Sequence, residues 1–290
     1  MYKKSVKKNK MKNKPHISYE QLLEIISWGI FSMKMKGKSV YDSRLKKMEK
    51  IEGATYGGIY VGSPGRDIHY MLPYIDNKQM KEAAALLCDR FPAKPPKTYA
   101  NVAACIRFIY GQFDKQGVLR SEKDFQRIKK EKLEWGLPRI FLKLLEDEFK
   151  KINNYYGLSM LCEIEGHRLG DEAIIGEDVK KIEAMEKKYN KCIEYAHKCK
   201  GYKHMFSMYY WASLYFIKFG DIQKAVKYAK LSIKNASKYY HKYFPGGENY
   251  YSVRLKEAFS YIEKNDRDDW LSFKNRYKKH IESQFKSKIK

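Results

Sequence analysis

With 59 Lys and Arg residues against 34 Asp and Glu, this 290-residue chain carries a formal charge of +25, and it can fold only by separating that charge from an apolar interior. Material for the interior is present. Hydrophobic residues make up 43% of the chain and aromatics 15%, with 25 Tyr and 14 Phe, which is too apolar for a disordered polybasic protein. The length suffices for one large helical unit or two smaller modules, each with a substantial core. AT-rich codons would raise Lys, Tyr, Asn and Ile together, but they would raise Glu as well. The imbalance between bases and acids therefore calls for a polyanionic partner. Lys greatly outnumbers Arg, and a hydrated point charge suits phosphate contact better than base readout.

Hydrophobic spacing predicts a mainly α protein, an irregular array of antiparallel helical hairpins with one small β-hairpin near residues 55–72. Four segments are expected: a disordered basic arm over 1–15, a helical module with the hairpin inserted over 16–153, a second helical module over 154–286, and a basic tail over 287–290. Ser18 and Gln21 form a capping box ahead of Leu22, Ile25, Ile26, Ile30 and Met33, so the first helix should run to Gly37. A short basic helix is expected from about Tyr41 to Glu52. From Gly53 to Tyr74 the period shortens to two. Ile59, Val61, Ile68, Tyr70 and Leu72 flank Gly62-Ser63-Pro64-Gly65-Arg66, whose Pro-Gly pair suits a type II turn with Arg66 at the tip. Further helices are expected over about Lys78 to Phe91, Thr98 to Lys115, Glu122 to Trp135, Pro138 to Asn153 and Glu177 to Lys200. The stretch Tyr155 to Gly176 fits neither period.

From Tyr209 to Ser232, Tyr209, Ala212, Ser213 and Phe216 precede a Gly220-Asp221 turn, and Ala225, Ala229 and Ser232 follow it. This pattern resembles one tetratricopeptide (TPR) repeat, with Ala229 where the family favours an aromatic and no second copy 34 residues away. The resemblance implies a scaffold or partner-binding surface, not a particular partner. A further helix pair is expected over about Asn249 to Glu263 and Arg267 to Phe285. In the last helix Trp270, Phe273, Tyr277, Ile281 and Phe285 share one stripe, opposite Arg276, Lys279 and Lys286.

Thirteen of the 25 excess charges lie in the two ends: seven lysines without an acid up to Lys14, and seven bases against Glu282 from Leu271 onward. Lys3, Lys4, Lys7, Lys8, Lys10, Lys12 and Lys14, with Arg66, Arg276, Lys279, Lys286, Lys288 and Lys290, are the expected contacts to nucleic acid, either DNA or RNA. Neither a secretory signal nor a membrane span is legible, and five cysteines in an odd, dispersed set suit a reducing compartment, so a cytoplasmic location without membrane association is expected.

Candidate chemistry is sparse. Cys192, His197, Cys199 and His204 have the residue types of a zinc site, but on one continuous helix Cys192 and Cys199 would lie about 10.5 Å apart along the axis, beyond the reach of bonds to one metal. Glu163, Glu165 and His167, followed by Asp171 and Glu172, would share a strand face and could build a metal-dependent nuclease. Asp266, Asp268 and Asp269 are assigned to the start of the final helix, where they serve its dipole. Gly57-Gly58 and Gly62 to Arg66 lack the order of a phosphate-binding loop. Tyr239 to Phe244 and Tyr250-Tyr251, set among lysines, could stack on unpaired bases. The sequence thus points to a non-catalytic protein that holds phosphate backbones and needs no cofactor. An adaptor or inhibitor for an acidic protein, of the kind phages and mobile elements carry, is the alternative.

Overall fold

A computed structural model describes residues 17–28, 31–32, 54–56, 59–61, 68, 71–95, 105, 109, 137, 139–243, 258, 260–266 and 275. Within these residues the protein is mostly helical. Helix α1 (Tyr19–Trp28) begins at the expected capping box: the Ser18 amide donates to Gln21 Oε1 at 2.8 Å and the Gln21 amide to Ser18 Oγ at 3.2 Å. The helix ends nine residues before Gly37. Phe31–Ser32 instead forms strand β1, paired antiparallel with Tyr60 and Ile59. In the sequence Gly29 interrupts the pattern, and a glycine inside a helix costs about 1 kcal/mol relative to alanine.

Of the alternating positions, Ile59 and Val61 lie in a strand, but its partners are not the segment after Gly65. β2 (Ala54–Tyr56) pairs antiparallel with β3 (Ile59–Val61), and β3 is central in a three-stranded sheet of order β1-β3-β2. The expected returning strand is not extended: Ile68 and Met71 are helical and buried, and Leu72–Tyr74 is a 3-10 turn with Pro73 near its start. Packing of Ile68 and Met71 into the core, rather than a pleat, accounts for those two apolar positions.

Helix α2 (Asn77–Arg90) starts at a capping box between Asp76 and Gln79. Helix α3 (Arg139–Lys151) buries Phe141, Leu142, Leu145 and Phe149 at helical spacing. Two central positions of the helix expected over Thr98 to Lys115, Cys105 and Ile109, are helical and buried. The segments Tyr41 to Glu52 and Glu122 to Trp135 lie outside the described residues.

The ambiguous stretch is one helix, α4 (Tyr155–Gly176), entered through Asn154, whose side chain accepts from the Gly157 amide at 2.8 Å. It is buried almost all round, which removes the polar face that a period would reveal. Its first half packs with α1, α2 and α3, where Tyr156, Leu158, Met160, Leu161 and Ile164 join one core. Cys162 and Ala173 belong to a second core, shared with three later helices: α5 (Val179–Lys198), α6 (Tyr202–Phe219) and α7 (Ile222–Tyr243).

Gly220 ends α6 in the left-handed region at φ 92°, a conformation that glycine adopts without penalty, and Asp221 accepts from the Lys224 amide at 3.0 Å to start α7. The two helices pack through Phe216 and Tyr228, stacked at 5.5 Å, and through the small buried residues Ala212, Ser213, Ala225, Ala229 and Ser232. Farther on, residues 260–265 are helical, and the Asp266 amide donates to Ile262 O at 2.8 Å, so Asp266 closes that helix.

Candidate nucleic-acid interface

All thirteen lysines and arginines expected to contact nucleic acid lie outside the described residues, as do Phe244, Tyr250, Tyr251, Asp268 and Asp269. The described residues present a different cationic surface. Helix α7 has 22 residues and no acid. Between Glu194 and Glu248, Asp221 is the single acid among ten lysines.

Four of those lysines, Lys224, Lys227, Lys230 and Lys234, recur every three or four residues on α7, and Lys238 and Lys242 continue the spacing in sequence. At 100° per residue the six positions fall within about 120° of the helix circumference. Ala225, Val226, Tyr228, Ala229, Ser232 and Ile233 occupy the opposite, buried side. Packing therefore leaves Lys227 and Lys234 exposed and Lys224 and Lys230 half-buried at the margins of that face. From Lys224 to Lys242 the row extends about 27 Å at 1.5 Å per residue.

Acids from neighbouring elements hold Lys224 and Lys230. Lys224 Nζ donates to Glu186 Oε2 of α5 at 2.8 Å, and Lys230 Nζ to Asp266 Oδ2 at 2.6 Å. The Tyr228 hydroxyl also donates to Glu186, at 2.6 Å. Partial burial works to raise the Glu186 carboxyl, but the hydrogen bonds from Lys224 and Tyr228 outweigh it and hold the group below the usual carboxylate value. Lys227 and Lys234 are exposed, with Lys227 Nζ 5.6 Å from the Tyr228 ring.

A second group of lysines borders a groove between α3, α4 and α5, floored by Leu142, Leu158, Leu161 and Cys162. Acids offset most of its charge: Lys150 meets Glu146 at 2.5 Å, Lys188 meets Glu165, and Lys191 meets Glu194 at 2.7 Å. Lys198 instead lies 4.9 Å from the Tyr155 ring, which stacks on Tyr195.

The acidic and histidine cluster is split. On helix α4, where a strand would have placed all three on one face, Glu163 and His167 share a buried face, with Glu163 Oε1 3.6 Å from His167 Nε2, while Glu165 turns to Lys188 on α5. His167 Nδ1 meets the Tyr189 hydroxyl of α5 at 2.5 Å, and its ring sits edge-on to Trp211 of α6. Tyr215 of α6 donates to Asp171 at 2.8 Å and to the His167 carbonyl at 3.1 Å. Burial, followed by the Asp171 and Glu163 charges, raises the Tyr189 hydroxyl well above the usual tyrosine value. These contacts bind three helices together. Among the described residues no group of three or more His, Cys, Asp or Glu side chains could hold a metal ion.

The described cysteines are free, with Cys192 buried within α5 and Cys199 capping it. Burial pushes the Cys162 thiol up to about 12 and the Cys199 thiol up to about 11, so both stay protonated at neutral pH. Among the described residues no helix is long and apolar enough to cross a membrane. No protein-family model, curated protein or solved structure matches the chain.

Charge runs at the two ends drew the sequence reading away from α7. The signal in α7 is different in kind: six lysines at one helical phase, with no acid between Asp221 and Glu248.

Proposed function

We propose that this protein binds nucleic acid through the phosphate backbone, without catalysing a reaction on it. The observation that carries the proposal is the row of Lys224, Lys227, Lys230 and Lys234 on α7, on the side opposite its buried face and uninterrupted by acids within the helix. Lysines contribute charge without a planar fork, so the contact is electrostatic and independent of sequence. The basic termini and Arg66 would add phosphate contacts around this rigid centre. Adding labelled random-sequence duplex and single-stranded oligonucleotides to the full chain at about 50 mM salt tests the proposal, since backbone binding is strongest at low ionic strength. Retarded complexes with unrelated sequences are expected, and failure to bind any of them contradicts it.

The α6–α7 hairpin, closed by small residues at Ala212, Ser213, Ala225, Ala229 and Ser232, favours one alternative: a TPR-like adaptor or inhibitor that seats an acidic protein. Co-purification of a single acidic protein, retained after nuclease treatment, would select it. In either reading the protein acts in the cytoplasm and needs no cofactor.

A further inference from the structure

We infer that the α7 row seats on B-form duplex DNA, and that Glu186 and Asp266 are built-in competitors that occupy two of its lysines until phosphates displace them. The inference rests on the nucleic-acid reading above. It adds the form of the ligand and a control on affinity.

Shape selects the duplex. A helix with its side chains is about 10–12 Å across, and the major groove of B-DNA is about 12 Å wide, whereas the A-form major groove is too narrow to admit it. Lysines at the edges of a face about 120° wide reach the phosphate walls on either side of the groove. Single strands are held by exposed aromatic platforms. Among the described side chains of α7, the aromatic beside the row is Tyr228, which is 3% exposed and commits its hydroxyl to Glu186, so it offers no such platform.

The two acids sit where phosphates would. Glu186 Oε2 and Asp266 Oδ2 accept charge-assisted bonds from Lys224 and Lys230 at 2.8 and 2.6 Å, the geometry a phosphate oxygen would take. Both acids come from outside α7. Each lysine must leave its carboxylate to engage DNA, so the row as folded is weaker than its lysine content suggests.

The test uses the full chain and isosteric variants that keep the hydrogen-bond acceptors. The double variant Glu186→Gln, Asp266→Asn is compared with Glu148→Gln, Glu194→Gln, which gains the same charge by removing the partners of Lys151 and Lys191 elsewhere. Affinity for a random-sequence DNA duplex is followed from about 50 to 200 mM salt. The first variant should bind about threefold more tightly per acid removed, within the range of a surface ion pair, since both pairs keep part of their side chains in water. Its log–log salt slope should steepen by up to about 0.9 per acid, while the second variant stays near the parent.

Equal gains in the two variants overturn the inference and leave the nucleic-acid reading standing. A preference of the parent protein for duplex RNA, single strands or anionic lipid vesicles overturns the assignment to duplex DNA. If the parent binds no nucleic acid at about 50 mM salt, the underlying reading fails and the inference fails with it.

Discussion

The hydroxyl of Tyr215, projecting from α6, lies 2.8 Å from Oδ1 of Asp171 on α4, and the edge of the same ring closes over Gly170. A β-carbon at Gly170 would sit 2.5 Å from that ring, and one at Gly166 would run into Tyr189. Two tyrosines of α5 and α6 thus rest on bare backbone of α4 and aim their hydroxyls at the polar groups beside it.

Gly170→Ala should therefore destabilise the protein even though alanine favours a helix by about 1 kcal/mol. Moving a ring whose hydroxyl is bonded at both Asp171 and the His167 carbonyl should cost about 1–3 kcal/mol more than that gain. Gly176→Ala is the control, because the nearest atom to its β-carbon, in Asp178, is 4.0 Å away. Thermal melts should show a lower midpoint for the first variant and an unchanged or higher one for the second.

Tyr215→Phe keeps the ring and removes the bonds. Losing a buried bond to a carboxylate costs about 1.5–3 kcal/mol, so the urea midpoint should fall with an unchanged slope. A midpoint equal to that of the parent would show that the hydroxyl does not hold α6 to α4.

Glu186 supplies a pH dependence whose sign follows from its lowered carboxyl. The folded protein keeps this group charged to a lower pH than the unfolded chain does, so its contribution is present above the ordinary value of 4.5 and is lost as pH falls through the folded value. The stability difference between the parent and Glu186→Gln should be about 1 kcal/mol or less at neutral pH and vanish under acid. Urea titrations at a series of pH values check this, and a difference that grows on acidification would reverse the sign.

Lys227→Gln and Lys234→Gln remove exposed charges from the α7 row without touching the buried face. Each should weaken binding to unrelated sequences by the same factor and flatten the log–log salt slope by about 0.9 on duplex. Anisotropy titrations over a range of salt read both effects. A loss confined to one sequence would mean base readout and not backbone contact.

Helices with one wet face were legible in the sequence. The cap at Ser18, the spacing of Phe141, Leu142, Leu145 and Phe149, and the Gly220 turn each write a local rule that the fold obeys. Helix α4 was not legible, because burial on nearly every side erases the contrast from which a period is read, and glycine at 157, 166 and 170 lowers its helix propensity further. The strand face proposed for Glu163, Glu165 and His167 failed for the same reason. Likewise, alternation between Ile59 and Leu72 suggested a hairpin, where packing of Ile68 and Met71 into the core made both residues helical. The pairing of Lys224 with Glu186 joins residues 38 apart and is set by how α7 lies against α5, which no local pattern encodes.

The central claim is that this surface answers to phosphate and not to sequence. Fluorescence anisotropy of the full chain with two duplexes of unrelated sequence, from about 50 to 200 mM salt, tests it most directly. Both duplexes should give the same affinity, falling about 100- to 1,000-fold over that range as four to five phosphate contacts would require. Affinity that differs between the sequences, or that holds constant as salt rises, would contradict the claim.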